Sequence, residues 1–326
     1  QLLTAAPLND AWSFCRCQLQ ACQLQACWRS RDSSELTLHW RPALLLRGGK
    51  TEAPNYVKLR DLKALWAEKA QGTKLRRVAV DPARDKAAKL MKERGLANCE
   101  KAVNLLREVH KRSPADVDVK LELANALNAV MRIKTNANAL IIDGSLDTPA
   151  NKKIWKVLGD EALPLATAAY KTKPGDVKAL AVYADAFMFS CSAKGIVKQA
   201  LSGTAKEFKR MANELRKYPS WDGAVGLIFL GGLFNIAPWP VGNKQEAKKL
   251  LSEAATIAPT RRNLYYVGVN AYVMGEYERA ITFFERSLKA SCGSETEADF
   301  GDFMLAQAES GAARARAKLA EAATKA

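Results

Sequence analysis

Residues Arg261–Cys292 read RRNLYYVGVNAYVMGEYERAITFFERSLKASC. Two runs of helical length flank Gly275-Glu276-Tyr277. Glycine readily takes the left-handed conformation that ends one helix and lets the chain reverse. The spacing predicts two antiparallel helices with a tight turn between them, and Ala280 sits where the pair crosses.

The same organisation recurs upstream, anchored on prolines. Twelve, eight and five residues before Pro114, Pro174 and Pro259 lie Ala102, Leu106 and Val109, then Ala162, Ala166 and Ala169, then Ala247, Leu251 and Ala254. Offsets of i, i+4 and i+7 mark one face of an α-helix. Proline then stops the helix, because it has no amide hydrogen to continue the ladder. Ten to thirteen residues after the same prolines come Ala124-Asn125-Ala126-Leu127, Ala184-Asp185-Ala186-Phe187 and Val269-Asn270-Ala271-Tyr272. Small residues there let neighbouring helices approach, and the large one fills the space between layers. A degenerate fourth unit ends at Pro219, with Met211 in the apolar place but Glu207 and Glu214 off the pattern.

Leu264, Gly268, Gly275, Tyr277, Ala280 and Phe284 follow the tetratricopeptide consensus almost position for position. The chain thus resembles that family, whose period is about 34 residues. The resemblance implies an all-α fold, a tetratricopeptide-like helical-hairpin solenoid. The proline intervals of 60, 45 and 40 residues call for insertions. Glu295–Ala326, rich in Ala, Glu, Arg and Lys, reads as a C-terminal capping helix, with Ser294 and Glu297 at capping-box spacing. Four segments follow: a leader at 1–55, a basic helical region at 56–113 leading into the repeats, repeats at 114–292 and the capping segment at 293–326.

An apolar helix at Gly223–Ile236, the turn Ala237-Pro-Trp-Pro-Val-Gly242 and a lysine-rich helix from about Lys244 together resemble the T component of TRAP transporters, over roughly 176–290. That resemblance implies an all-helical fold, a tendency to oligomerise and association with a solute-binding partner protein. The chain departs from it in its basic Tyr56–Ala115 region and its Cys-rich leader. Pro238 and Pro240 limit the uncharged run to about 14 helical residues, short of the roughly 20 that cross a bilayer. The expectation is a buried repeat helix, with Gly231-Gly232 as a close helix contact.

Composition narrows the function. Of 326 residues, 48% are hydrophobic, and the formal net charge is +16. Tyr56–Ala115 holds 16 basic and 7 acidic residues but only Tyr56 and Trp66 as aromatics. A basic stripe without interleaved aromatics lacks the stacking platform of a single-strand binder. A solvated or partner-facing helical surface is therefore expected, with RNA binding through Lys58–Arg112 as the contrary reading. The leader is poor in acids and carries the tandem Gln18-Leu-Gln-Ala-Cys22 and Gln23-Leu-Gln-Ala-Cys27. It reads as a plastid or mitochondrial transit segment or as an irregular extension.

Seven cysteines with no CxxC, and only His39 and His110, give no metal-ligand spacing and no disulfide framework. Gly48-Gly49-Lys50-Thr51 has Leu44 where a phosphate loop needs glycine. No nucleophile, base and orienting group converge in the sequence. We expect no catalytic residue, no metal and no cofactor, and a protein partner instead. Asn125, Asp185 and Asn270 are expected near the inner rim of a partner-binding groove, where an amide can pair with an extended backbone. Leu121 and Tyr266 occupy the places where a clamp for peptide carboxylates needs lysine. Trp239, held between two prolines, suits a packed corner or an aromatic anchor for a partner.

Overall fold

Three of the four proline stops, Pro114, Pro174 and Pro259, are followed by a side-chain cap. Two residues after Pro114 and Pro174, the Asp116 and Asp176 carboxylates accept hydrogen bonds from the first free amides of the next helices. Thr260 does the same after Pro259. Proline ends one ladder and the side-chain oxygen starts the next, so chain reversal is written locally.

The computed structural model describes residues 81–195 and 203–325, which belong to one compact unit, Leu75–Ala326. The leader at 1–55 and the stretch 56–80 lie outside the described residues, and with them the transit-segment reading and much of the basic lead-in. Twelve α-helices and no strand are present among the described residues. In chain order they are α1 (Pro82–Glu93), α2 (Leu96–Arg112), α3 (Val117–Thr135), α4 (Pro149–Thr172), α5 (Val177–Ser192) and α6 (Thr204–Leu215). There follow α7 (Val225–Ile236), α8 (Lys244–Ile257), α9 (Arg261–Val273), α10 (Tyr277–Lys289), α11 (Glu295–Ala298) and α12 (Gly301–Lys325).

From α1 to α10 each helix packs on the next, and α3 reaches α5 as α7 reaches α9. Contact with nearest and next-nearest helices is the signature of a solenoid, here one of helical hairpins. All nine positions picked out before the prolines are buried, from Ala102, Leu106 and Val109 through Ala254. The α1–α2 hairpin, a lead-in by sequence, packs against α3 as a layer of the same stack. Met211 of the degenerate unit is fully buried, while Glu207 turns outward to Arg210 and Tyr183.

Two expectations need adjustment. The C-terminal segment is not one helix: it breaks at Asp299-Phe300, between α11 and α12. Phe300 turns into the core and Asp299 into a buried ion pair. Of the Gly231-Gly232 pair in α7, only Gly231 is a close helix contact, since a Cβ there would lie 2.6 Å from the Leu251 side chain of α8. A Cβ on Gly232 would meet nothing. No helix among the described residues is long and apolar enough to cross a membrane.

The end of the stack is locked by Phe284 of α10. Its ring is fully buried and covers the backbone of Gly268 in α9 and Gly311 in α12. A Cβ at either glycine would approach the ring to 2.6 or 2.7 Å, well inside van der Waals contact. Gly268→Ala is therefore expected to destabilise the protein by about 1–3 kcal/mol through overpacking, read as a lower midpoint in urea. An unchanged midpoint would show that the ring moves aside freely.

Candidate functional site

Beside α5, α6 and α7 lies a cavity with a charged floor. Arg132 provides its centre. Ala124, Asn128 and Arg132 recur at four-residue spacing on the buried face of α3, so helical geometry forces the guanidinium inward. Only 4% of Arg132 is exposed. Its Nη1 donates to Asp185 Oδ2 at 2.5 Å and its Nε to Asp299 Oδ2 at 3.0 Å. Asp299 also accepts from Arg94, through Nε at 3.1 Å and through Nη2. Arg94 follows α1 and Asp299 precedes α12, so the cluster ties the two ends of the stack together.

A second pair sits alongside. Arg262 of α9, also 4% exposed, pairs with Asp222 Oδ1 at 3.4 Å and donates from Nη2 to the Asp222 carbonyl at 2.5 Å. Asn263 Nδ2 donates to the Gly223 carbonyl at 2.8 Å. Asp222 and Ala224 hold left-handed backbone conformations, with φ of 44° and 61°. Such positions cost about 1–3 kcal/mol each; the Arg262 and Asn263 bonds offset that cost. The Ser294 hydroxyl donates to Asp222 Oδ1 and accepts from the Glu297 amide. Half of the anticipated capping box therefore forms. The Glu297 carboxylate goes instead to the amides of Gly293 and Arg262, at 3.0 and 2.7 Å.

Above this floor the walls are apolar, with Phe187, Phe208, Phe229, Leu233, Ile236 and Val241 prominent among them. Burial pushes the Asp185 carboxyl up to about 6, although Arg132 pulls the other way. Burial likewise pushes the Cys191 thiol at the wall up to about 11, which keeps it protonated and a poor nucleophile near neutrality. Two buried polar atoms on lining residues, Arg132 Nη2 and Asn138 Oδ1, have no hydrogen-bond partner among the described residues.

The four residues singled out by sequence lie in different places. Asp185 stands in the cavity floor. Asn125 lines a separate shallow hollow with Arg94, Glu122 and Lys178. Asn270 is fully buried and does not line the cavity; its Nδ2 donates to Asn235 Oδ1 at 2.8 Å and to the Lys244 carbonyl at 3.2 Å. It therefore joins α9 to α7 and α8, a correction to its placement on a groove rim. Trp239 is 89% exposed, which removes the packed-corner alternative. Ala237 and Val241, two residues to either side, line the cavity, so Trp239 stands at its lip.

Arg94, Arg132, Asp222, Arg262 and Asp299 were missed by sequence reasoning. Their one signal was a charge placed on an otherwise apolar helical face, clearest at Arg132. In the basic segment, Arg84, Arg107, Lys111 and Arg112 pair with Glu122, Glu161, Glu108 and Asp81, which draws much of its described charge away from any polyanion. No group of three or more His, Cys, Asp or Glu residues that could hold a metal occurs among the described residues.

Among solved structures, the chain is similar to TTC0263, a thermophilic TPR protein of Thermus thermophilus. Identity is 12% and the TM-score 0.47, over 68% of this chain and 98% of that one. It is also similar to yeast Tom70, at 14% identity and a TM-score of 0.23, over 79% of this chain and 74% of that one. No family model and no curated protein matches the sequence.

Two measurements probe the floor. Removing one partner of a buried ion pair leaves the other uncompensated, at about 3–5 kcal/mol. Asp299→Ala strands Arg94 and leaves Arg132 with Asp185 alone, and is expected to cost about that much in a urea titration; a loss under about 1 kcal/mol would contradict the cluster's role. Asp185 has its folded pKa raised from the ordinary 3.8 to about 6. The stability from holding its proton is full below pH 4 and lost as pH rises through 6. Relative to Asp185→Asn, the unmodified protein should thus lose on the order of 3 kcal/mol between pH 4 and pH 7.5. Parallel stability curves for the two proteins would refute this.

Proposed function

We propose that this chain is a non-catalytic scaffold or assembly factor that binds another protein. The observation that carries the reading is Trp239. An indole 89% exposed, on a short turn bounded by Pro238 and Pro240, loses little freedom when a partner covers it and brings a large apolar area to an interface. The stack of α7, α8 and α9 holds that turn in place. The acid-poor leader at 1–55 supports work as a subunit of a larger plastid or mitochondrial complex.

The experiment is co-purification of the full chain with mass spectrometry, followed by binding measurements with the recovered partner. Trp239→Ala is expected to weaken that partner by about 30-fold or more, the scale of a hot-spot residue at roughly 2 kcal/mol, with the melting temperature unchanged. Equal affinity for both proteins would show that the turn is not the anchor.

A second reading is favoured by the cavity: a solute-handling accessory of a transport system, as the resemblance to TRAP T components implies. Apolar walls over a few convergent polar groups are the usual make-up of a small-molecule site.

A further inference from the structure

The charged floor constrains what the cavity accepts. The ionic side chains that line it are Arg132 and Arg262, facing Asp147, Asp185 and Asp222, with Arg94, Asp299 and Glu297 bonded behind them. The guanidiniums are each matched to a carboxylate. An incoming anion would meet Asp185 and Asp222 at close range, and an incoming cation would meet Arg132 and Arg262. In a poorly hydrated site either encounter is unfavourable, because water no longer screens it.

Two groups remain unanswered. Arg132 Nη2 is a donor and Asn138 Oδ1 an acceptor, both buried and without partners among the described residues. A buried polar atom left unpaired costs about 1–3 kcal/mol, so a ligand that answers either gains that amount while its body lies against Phe187, Phe208, Phe229 and Leu233. A carboxylate could answer Arg132 but not Asn138. An ammonium could answer Asn138 but not Arg132. A hydroxyl or primary amide both donates and accepts.

We propose that the cavity binds an uncharged, largely apolar small molecule whose single polar head is a hydroxyl or amide, seated on Arg132 and Asn138. This deepens the solute-handling reading and rests on it; it is independent of partner capture at Trp239.

Gly232 provides the test. It lines the cavity, and a Cβ there meets nothing, so Gly232→Leu starts from an open position and is expected to take up cavity space, with the melting temperature as the check on folding. It also replaces a helical glycine with a better helix former. The probes are 1-octanol, octanoate and octylammonium at pH 7.5, titrated by calorimetry into the full chain and into Gly232→Leu, with melting temperatures as a second readout. Octanol is expected to bind the unmodified chain at least ten-fold more tightly than either ion. Gly232→Leu is expected to weaken octanol at least ten-fold without lowering the melting temperature. Octanoate or octylammonium binding best would overturn the uncharged-head assignment and leave the solute-handling reading standing. No binding by any of the three, or equal octanol binding to both proteins, would overturn the cavity as a small-molecule site and that reading with it.

Discussion

The carboxylate of Asp299 grips Arg94 and Arg132 at once, across 205 and 167 residues of chain. A helical-hairpin stack makes its contacts between neighbours, and nothing in such an arrangement requires its last layer to touch its first. Here the break between α11 and α12 exists where Asp299 must leave the helical path to reach the two guanidiniums. Two further bonds span the same gap. The Tyr265 hydroxyl donates to the Leu140 carbonyl at 2.8 Å, and Arg314 pairs with Asp143 at 2.7 Å. The first is buried and the second exposed, so the first contributes more per bond.

A buried charge cluster is a poor source of net stability. Taking each ion out of water costs several kcal/mol, and pairing does little more than offset it. What the cluster adds is definition. Guanidinium forks and left-handed carbonyls at Asp222 and Gly223 fit one another in one arrangement, and a shifted layer would strand a charge. The same constraint explains the cavity: the side chains that close the stack are taken up in pairing, so their remaining valences, at Arg132 Nη2 and Asn138 Oδ1, are few and specific.

The repeats were legible because their signals are local. Period, proline stop and cap are each written within four or five residues, and Ala102, Leu106, Val109 and their counterparts fell where helical periodicity put them. The near-consensus unit carried its turn at Gly275 and its crossing at Ala280 on the surface of the text. Closure was not legible. No periodicity links Asp299 to Arg94, and Ser294 with Glu297 satisfied a capping-box pattern while Glu297 bonded elsewhere. Asn125, Asp185 and Asn270 share one register in the repeat, yet their surroundings differ. One lands in the floor, one in a shallow hollow and one in the packed interior. Trp239 was marked by its two prolines, but exposure depends on what packs nearby, and that is a tertiary property.

The closing of the stack has a kinetic side. An open array can fray from its ends and rebuild one layer at a time, because each added layer finds its partner next door in sequence. Joining α12 to α1 and α3 adds contacts of very long sequence separation, and loop closure must be met before they form. Terminal layers that would otherwise come and go independently are made to wait for each other. A repeat protein tied in this way should behave less like a chain of units and more like a single cooperative body, whose cavity exists only when the whole circuit is complete.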